Sequence, residues 1–222
     1  MSVRVGNSGW VSGRLVVGCF GDVIDSSLVN WFGDFESLVF WKKWKFAMDQ
    51  NDKLLLVMRH GKAKGRDAGG SDFDRRLRKR GLRDAKRMGE LLAEKGLVPD
   101  VIISSSAVRA VMTAEAVADS CGYGGEVVRM ESLYLGNAEE YVRVLSEMGY
   151  EEEGKGLMER VMVVGHQPGL SLLVYQLTGQ SVDMVTGAIA VIRLGIDGWD
   201  AVDEIGVGTG KLDGVYEPDG GD

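Results

Sequence analysis

The chain has 222 residues, 45% of them hydrophobic and 27% charged, with a net charge of −7. That is enough apolar material for one domain, or one domain with an extension, and the negative balance argues against nucleic-acid binding. Cys19 and Cys121 have no metal or redox spacing, and no apolar run approaches the ~20 residues that cross a bilayer. Together these features predict reduced thiols in a cytoplasmic protein with no stable membrane insertion.

Residues 1–50 differ from the remainder. They hold Trp10, Trp31, Trp41 and Trp44, four of the five tryptophans, without a sustained period. Arg14 and Asp22 interrupt any signal-peptide core, and Asp22, Asp25, Asp34 and Glu36 count against an organelle transit peptide. Phe32, Phe35, Leu38, Val39 and Trp41-Lys42-Lys43-Trp44 fit a short amphipathic helix lying on the domain or on a membrane surface. The favoured readings are a poorly ordered extension, or a natural start at Met48, just ahead of the first strand.

From residue 51 strand and helix signals alternate. Leu54-Leu55-Leu56-Val57-Met58 reads as a strand buried on both faces, and it stops at Arg59-His60-Gly61. Lys62–Ser71 reads as a Gly-, Lys- and Asp-rich loop. Leu82, Ala85, Met88, Leu91 and Leu92 mark one face of a helix that ends before Gly96. Val101-Ile102-Ile103 is a strand leading through Ser104–Ser106 into a helix with Arg109 in its first turn. Val127–Met130 is a third strand. The spacing of Tyr141, Val144, Leu145 and Met148 predicts a helix. Val161–Val164 repeats the opening pattern, ending in Gly165-His166-Gln167-Pro168-Gly169 before a helix with Leu170, Leu173, Val174 and Leu177. Ala188–Leu194 and Trp199–Val202 read as a closing antiparallel pair across Asp197-Gly198. From Gly206 the composition predicts a Gly/Asp-rich tail over 206–222. The domain is thus expected over 51–205, as an α/β three-layer sandwich: a mainly parallel central sheet with helices on both faces.

The protein has two histidines, and each directly follows a buried-strand pattern. In open α/β sheets, reactive groups gather at the carboxyl ends of strands. Arg59, His60, Arg109 and His166 all sit there, and Gly61 lets the backbone approach a ligand. Two guanidiniums and two imidazoles suit a phosphoryl group: arginine matches its oxygens bidentately, and the helix after Ser104–Ser106 offers N–H donors. No carboxylate cluster or zinc spacing is present, so no metal or cofactor is expected. A neutral imidazole can take a phosphoryl group covalently, and neighbouring arginines disfavour its cationic form. His60 is the nucleophile candidate and His166 the stabiliser of the equatorial oxygens.

The segments Leu56-Val57-Met58-Arg59-His60-Gly61, Ser104–Ala114 and Val164-Gly165-His166-Gln167-Pro168-Gly169 resemble the three signature blocks of the histidine phosphatase superfamily, with its phosphoglycerate mutase-like fold. Phe73-Asp74-Arg75-Arg76-Leu77, Lys79-Arg80-Gly81 and Leu177-Thr178-Gly179 look like its small SixA-type phosphohistidine phosphatase branch. The resemblance covers about residues 53–203. It implies a phosphorylated His60, a phosphate pocket of Arg59, Arg109 and His166, and substrate contacts from Gly61, Lys62 and Gln167. It also brings up Glu131, as either the general acid or a solvated carboxylate before the helix at 138–149. Arg76 and Gln167 depart from the usual residues of relatives.

Only a short helix separates Glu131 from Val161, which predicts an open cleft for a phosphorylated protein or for small phosphoesters. The run Arg75–Arg87 holds eight Lys or Arg, either a solvated face or a steering surface for an acidic phosphoprotein. The leading expectation is a metal-independent phosphohistidine phosphatase. The alternatives are a broad phosphomonoesterase for small sugar or carboxylic-acid phosphates, and a low-turnover phosphate-binding module.

Overall fold

A computed structural model describes residues 52–65, 71–150 and 158–218, together with four two-residue strands nearer the start. The chain divides into two compact units, 1–50 and 51–222. In the first unit β1 (Val3–Arg4) pairs with β2 (Trp10–Val11), and β3 (Leu15–Val16) with β4 (Val23–Ile24), both antiparallel. The amphipathic segment around 32–44 and the Met48 start lie outside the described residues.

The second unit is built on a six-stranded sheet. Its strands are β5 (Lys53–Arg59), β6 (Val101–Ser105), β7 (Val128–Met130), β8 (Arg160–Gly165), β9 (Ile189–Leu194) and β10 (Lys211–Tyr216). They lie in the order β10-β9-β5-β8-β6-β7. The four from β5 to β7 run parallel; on the other side of β5, β9 runs antiparallel to it and β10 antiparallel to β9. The helices are α1 (Lys79–Glu94), α2 (Val108–Cys121), α3 (Ala138–Tyr150) and α4 (Gly169–Thr178).

The continuous apolar strands follow from burial on both faces. Successive residues point to opposite sides, so Leu55, Val57, Val161 and Val163 pack with Tyr141, Leu145 and Leu173 from α3 and α4. Their neighbours Leu56, Met58, Met162 and Val164 pack with Ala85, Met88, Ala114 and Val117 from α1 and α2. Burying each large aliphatic side chain contributes about 1.5–3 kcal/mol, and β5 alone has Leu55, Leu56, Val57 and Met58 at 0% exposure.

The carboxyl end of the sheet differs from expectation on its far side. The partner of β9 is β10, not Trp199–Val202. Trp199–Asp203 is instead a 3-10 turn whose indole is buried, with Nε1–H donating to the Met158 carbonyl at 2.9 Å. A side chain that large is used as a plug in the core beside α3, not as a strand residue. The region read as a tail from Gly206 therefore returns to the sheet. Gly208, at φ +78°, turns the chain, and Gly208 and Gly210 N–H groups donate to the Gln176 and Leu177 carbonyls. β10 has a weak apolar signal because it is an edge strand, held partly by the Arg193–Asp213 ion pair at 2.6 Å.

Helix α1 carries an unusual charge order. Its first turn has no acid and its last turn no base; Lys79, Arg80 and Arg83 lie at the start, Glu90 and Glu94 at the end. Charges placed against the helix dipole cost about 0.3–1 kcal/mol each at exposed termini. The helix is kept by its buried face, Ala85, Met88 and Leu92.

Candidate active site

Strand register places the two histidines. β5 and β8 pair in parallel with Arg59 opposite Gly165, and His60 N–H adds one more rung to the Gly165 carbonyl at 3.1 Å. The next residues, His60 and His166, therefore leave the sheet side by side, with ring centroids 5.0 Å apart. Gly165 must lack a side chain here, because a Cβ would collide with the Tyr141 hydroxyl, which accepts the His166 N–H. Gly61 is also required: a Cβ would sit 2.7 Å from the Gly81 carbonyl oxygen in α1.

The tautomer of His60 follows from its partners. Arg109 Nε can only donate, and it lies 3.2 Å from His60 Nε2, so that nitrogen is the acceptor. Nδ1 then carries the proton and donates to the Gly61 carbonyl at 2.8 Å. The lone pair of Nε2 points at the guanidinium that would face a phosphoryl group. Burial first, then the charges of Arg109, Arg59 and Arg75, push the His60 pKa down to about 4, although its bond to Gly61 opposes them.

His166 is 3% exposed, with Nε2 2.9 Å from Ser105 Oγ. Burial, then His60 and Arg109, hold it at about 3. Arg59 donates through Nη1 to the Met184 carbonyl at 2.8 Å. Arg59 Nε and His166 Nδ1 are buried polar atoms with no protein partner. Such atoms are uncommon in folded proteins, and phosphoryl oxygens would suit both.

Arg109, 4% exposed, is the hub. Besides His60 it reaches Asp72 twice, through Nη1 to the carbonyl at 2.6 Å and Nη2 to Oδ2 at 3.1 Å. Tyr134 donates its hydroxyl to the same Oδ2 at 3.2 Å, and Arg75 binds Oδ1 at 2.7 Å. The Arg75 hydrogen bond is the main cause that holds the Asp72 carboxyl down at about 2. Thr113, one helical turn after Arg109, accepts Gly61 N–H and donates to the Arg109 carbonyl, tying α2 to the His60 turn.

The structure thus brings Arg59, His60, Arg109 and His166 together. The other anticipated contacts fall elsewhere. Glu131 is exposed at the start of a 3-10 turn, Glu131–Leu133. That short turn aims Leu133 into the core and leaves the carboxylate in solvent. Lys62 is exposed on the surface. Gln167 is used internally: its amide donates to Ser171 Oγ and its oxygen accepts Ser171 N–H at the start of α4. Gly61 N–H is taken by Thr113, so its backbone does not face a ligand. The first N–H groups of α2 are likewise engaged, Ala107 with Ser105 Oγ and Val108 with the Phe73 carbonyl. Asp72, Tyr134, Ser105 and Thr113 were not singled out from sequence. Thr113 had a usable signal, a hydroxyl four residues beyond Arg109 on one helix face.

A neutral pair of histidines makes stability pH-dependent. Unfolded imidazoles titrate near 6.5, while the folded values are about 4 and about 3. Between these limits the unfolded chain binds protons that the folded chain does not. Stability is therefore expected to be complete above about pH 7 and to fall steadily as pH drops from 6.5 towards 3. Urea midpoints at pH 7.5 and 5.0 measure this; a double His60→Ala, His166→Ala variant should lose most of the difference.

Two imidazoles and two guanidiniums thus lie at the carboxyl edge of an α/β sheet covered on both faces. Residues 55–134 match the sequence model of the histidine phosphatase superfamily, branch 1. That match spans a little over a third of the chain. A 2,3-bisphosphoglycerate-dependent phosphoglycerate mutase of Leifsonia xyli is 41% identical over 68 residues, 30% of this chain and 27% of the mutase. The chain thus matches about a quarter of that relative's length. An uncharacterised chloroplastic protein of Arabidopsis thaliana is 26% identical over 176 residues, 75% of this chain and 78% of that one. The solved structure of the protein histidine phosphatase SixA complexed with tungstate has the same fold, with a TM-score of 0.62 and 23% identity, over 74% of this chain and 97% of that one.

Proposed function

We propose that the protein is a phosphatase that works through a covalent phosphohistidine on His60, and that its substrate is a phosphorylated histidine on another protein. The observation that carries the mechanism is the His60 tautomer: Nδ1–H is fixed on the Gly61 carbonyl, leaving Nε2 unprotonated beside Arg109. In the first step the Nε2 lone pair attacks phosphorus. A P–N bond forms, the bond to the leaving group breaks, and that group departs with the electron pair. In the second step water attacks the phosphohistidine, a P–O bond forms, the P–Nε2 bond breaks, and phosphate leaves with neutral His60 restored. Arg59, Arg109 and His166 stabilise the charge spread over the equatorial oxygens. The two guanidiniums supply the fixed positive charge that this reaction needs, and no metal enters the steps.

The substrate reading rests on proton supply. An alkoxide leaving group needs a general acid, whereas the nitrogen of a phosphohistidine is expelled more easily. The carboxylate that Arg109 holds beside the nucleophile is Asp72, and at about pKa 2 it stays ionised at neutral pH. Glu131 is in solvent. This arrangement favours a P–N over a P–O ester substrate. It also fits the likeness to a protein histidine phosphatase whose solved structure carries tungstate. No described helix is long and apolar enough to cross a membrane, and the buried thiol of Cys121 suits the cytoplasmic location expected from sequence.

The test is a donor panel in EDTA: a phosphohistidine peptide, phosphoserine, 3-phosphoglycerate and a sugar phosphate. The expected result is that kcat/KM is highest for the phosphohistidine peptide. Faster turnover of a small ester would replace this reading with the phosphomonoesterase one. Tight tungstate binding with no turnover of any donor would favour the binding module.

A further inference from the structure

Directly after His60-Gly61 the chain forms a short two-stranded ribbon with residues 76–78. Ala63 bridges Leu77 in antiparallel fashion; Lys64 N–H donates to the Arg76 carbonyl at 2.9 Å and Arg78 N–H to the Lys62 carbonyl at 2.8 Å. Ala63 and Leu77 are the inward residues, at 8% and 5% exposure. Side chains alternate along an extended segment, so Lys62, Lys64, Arg76 and Arg78 turn outward, and all four are exposed. The pairing sets Lys62 across from Arg78 and Lys64 across from Arg76. Like charges directly opposite weaken a strand pair.

The ribbon leads straight into α1 at Lys79, the helix whose charges oppose its own dipole. Two neighbouring elements thus carry cations where folding alone would favour acids or neutral residues, in a chain of net charge −7. The patch is also fixed to the nucleophile. Gly81, in the first turn of α1, lies so close to Lys62 that a Cβ would sit 2.6 Å from its backbone nitrogen, and Gly61 packs on Gly81 in turn.

We propose that this ribbon and the start of α1 dock the acidic segment that flanks the phosphorylated residue of a protein substrate. The inference rests on the phosphatase reading above and specifies what that substrate carries beyond its phosphoryl group. The ribbon is about 7 Å long and about 5 Å wide, the scale of three or four residues of an extended peptide. It begins two residues from His60, so an anion held there adjoins the group being transferred. A membrane surface would use a broader basic face with apolar residues at its rim.

The experiment uses the full chain and two phosphohistidine peptides that differ only in their flanks, four glutamates or four serines. Binding is read by fluorescence anisotropy and turnover by phosphate release. The wild type is expected to favour the acidic peptide by about tenfold or more in kcat/KM at low salt, through KM, with the preference shrinking at 0.5 M salt, where the Debye length is only about 4 Å. A triple variant, Arg76→Glu, Arg78→Glu, Lys79→Glu, is expected to lose the preference, retain the rate on the serine peptide, and melt no lower than wild type, since the new charges suit both ribbon and helix. Hydrolysis of both peptides without acid selectivity would overturn the docking surface and leave the phosphatase reading standing. Acid-selective binding without hydrolysis would do the reverse. Equal handling of the peptides, with variant-sensitive binding to phosphatidylserine vesicles, would reassign the patch to a membrane.

Discussion

His60→Ala is expected to abolish covalent labelling by a phosphodonor and to lower kcat by about 10⁴- to 10⁶-fold, the scale seen when a nucleophile is removed. The neighbouring histidine should not rescue it. His166 is 3% exposed and its Nε2 is already engaged with Ser105 Oγ. Its ring lies beside that of His60, with centroids 5.0 Å apart, where its proposed partners are the equatorial oxygens and not the phosphorus. The fold should survive, because the His60 side chain contributes one hydrogen bond to the Gly61 carbonyl and one from Arg109. Single-turnover labelling with a phosphohistidine peptide, together with a thermal melt, separates loss of chemistry from loss of structure. Residual acid-labile label in the variant would point to a different nucleophile.

Arg109→Lys is expected to have the next largest effect, a fall of about 10²- to 10³-fold in kcat, comparable to losing a preorganised charge-stabilising donor. Charge alone is not what Arg109 supplies. Its Nε holds His60 Nε2, while Nη1 and Nη2 hold the carbonyl and carboxylate of Asp72. A lysine keeps the charge but replaces a planar fork with one rotating ammonium. It can meet either His60 or Asp72, not both. The 71–78 segment, tied to α2 through Arg109 and through Val108 N–H to the Phe73 carbonyl, should loosen as well. Kinetics and amide exchange across 71–78 measure the two parts. A lysine variant with near wild-type kcat would show that the fork geometry is immaterial.

The site was legible in sequence where the chemistry coincides with a strand end. β5 and β8 are continuous apolar runs because both faces are covered, and parallel register then fixes His60 beside His166. Arg109 was legible as the first turn of the helix after β6. What stayed hidden was set by side-chain reach. Asp72 and Tyr134 meet over 62 positions through one hydrogen bond, and no local period announces that. Gln167 and Gly61 were expected to face substrate, but local partners, Ser171 and Thr113, take their polar groups first. β10 was missed for another reason. This edge strand has no fully buried residue, and its lead-in is glycine-rich, so composition alone reads as a tail.

The most direct check of the account is the chemical identity of the phosphoenzyme. Protein labelled with ¹⁵N at histidine and trapped with a phosphodonor can be examined for ³¹P–¹⁵N coupling. The account predicts a single phosphorus bonded to Nε2 of His60, since Nδ1 is committed to the Gly61 carbonyl. Phosphorus on Nδ1 of His60, on His166, or on a hydroxyl such as Ser105 would contradict it.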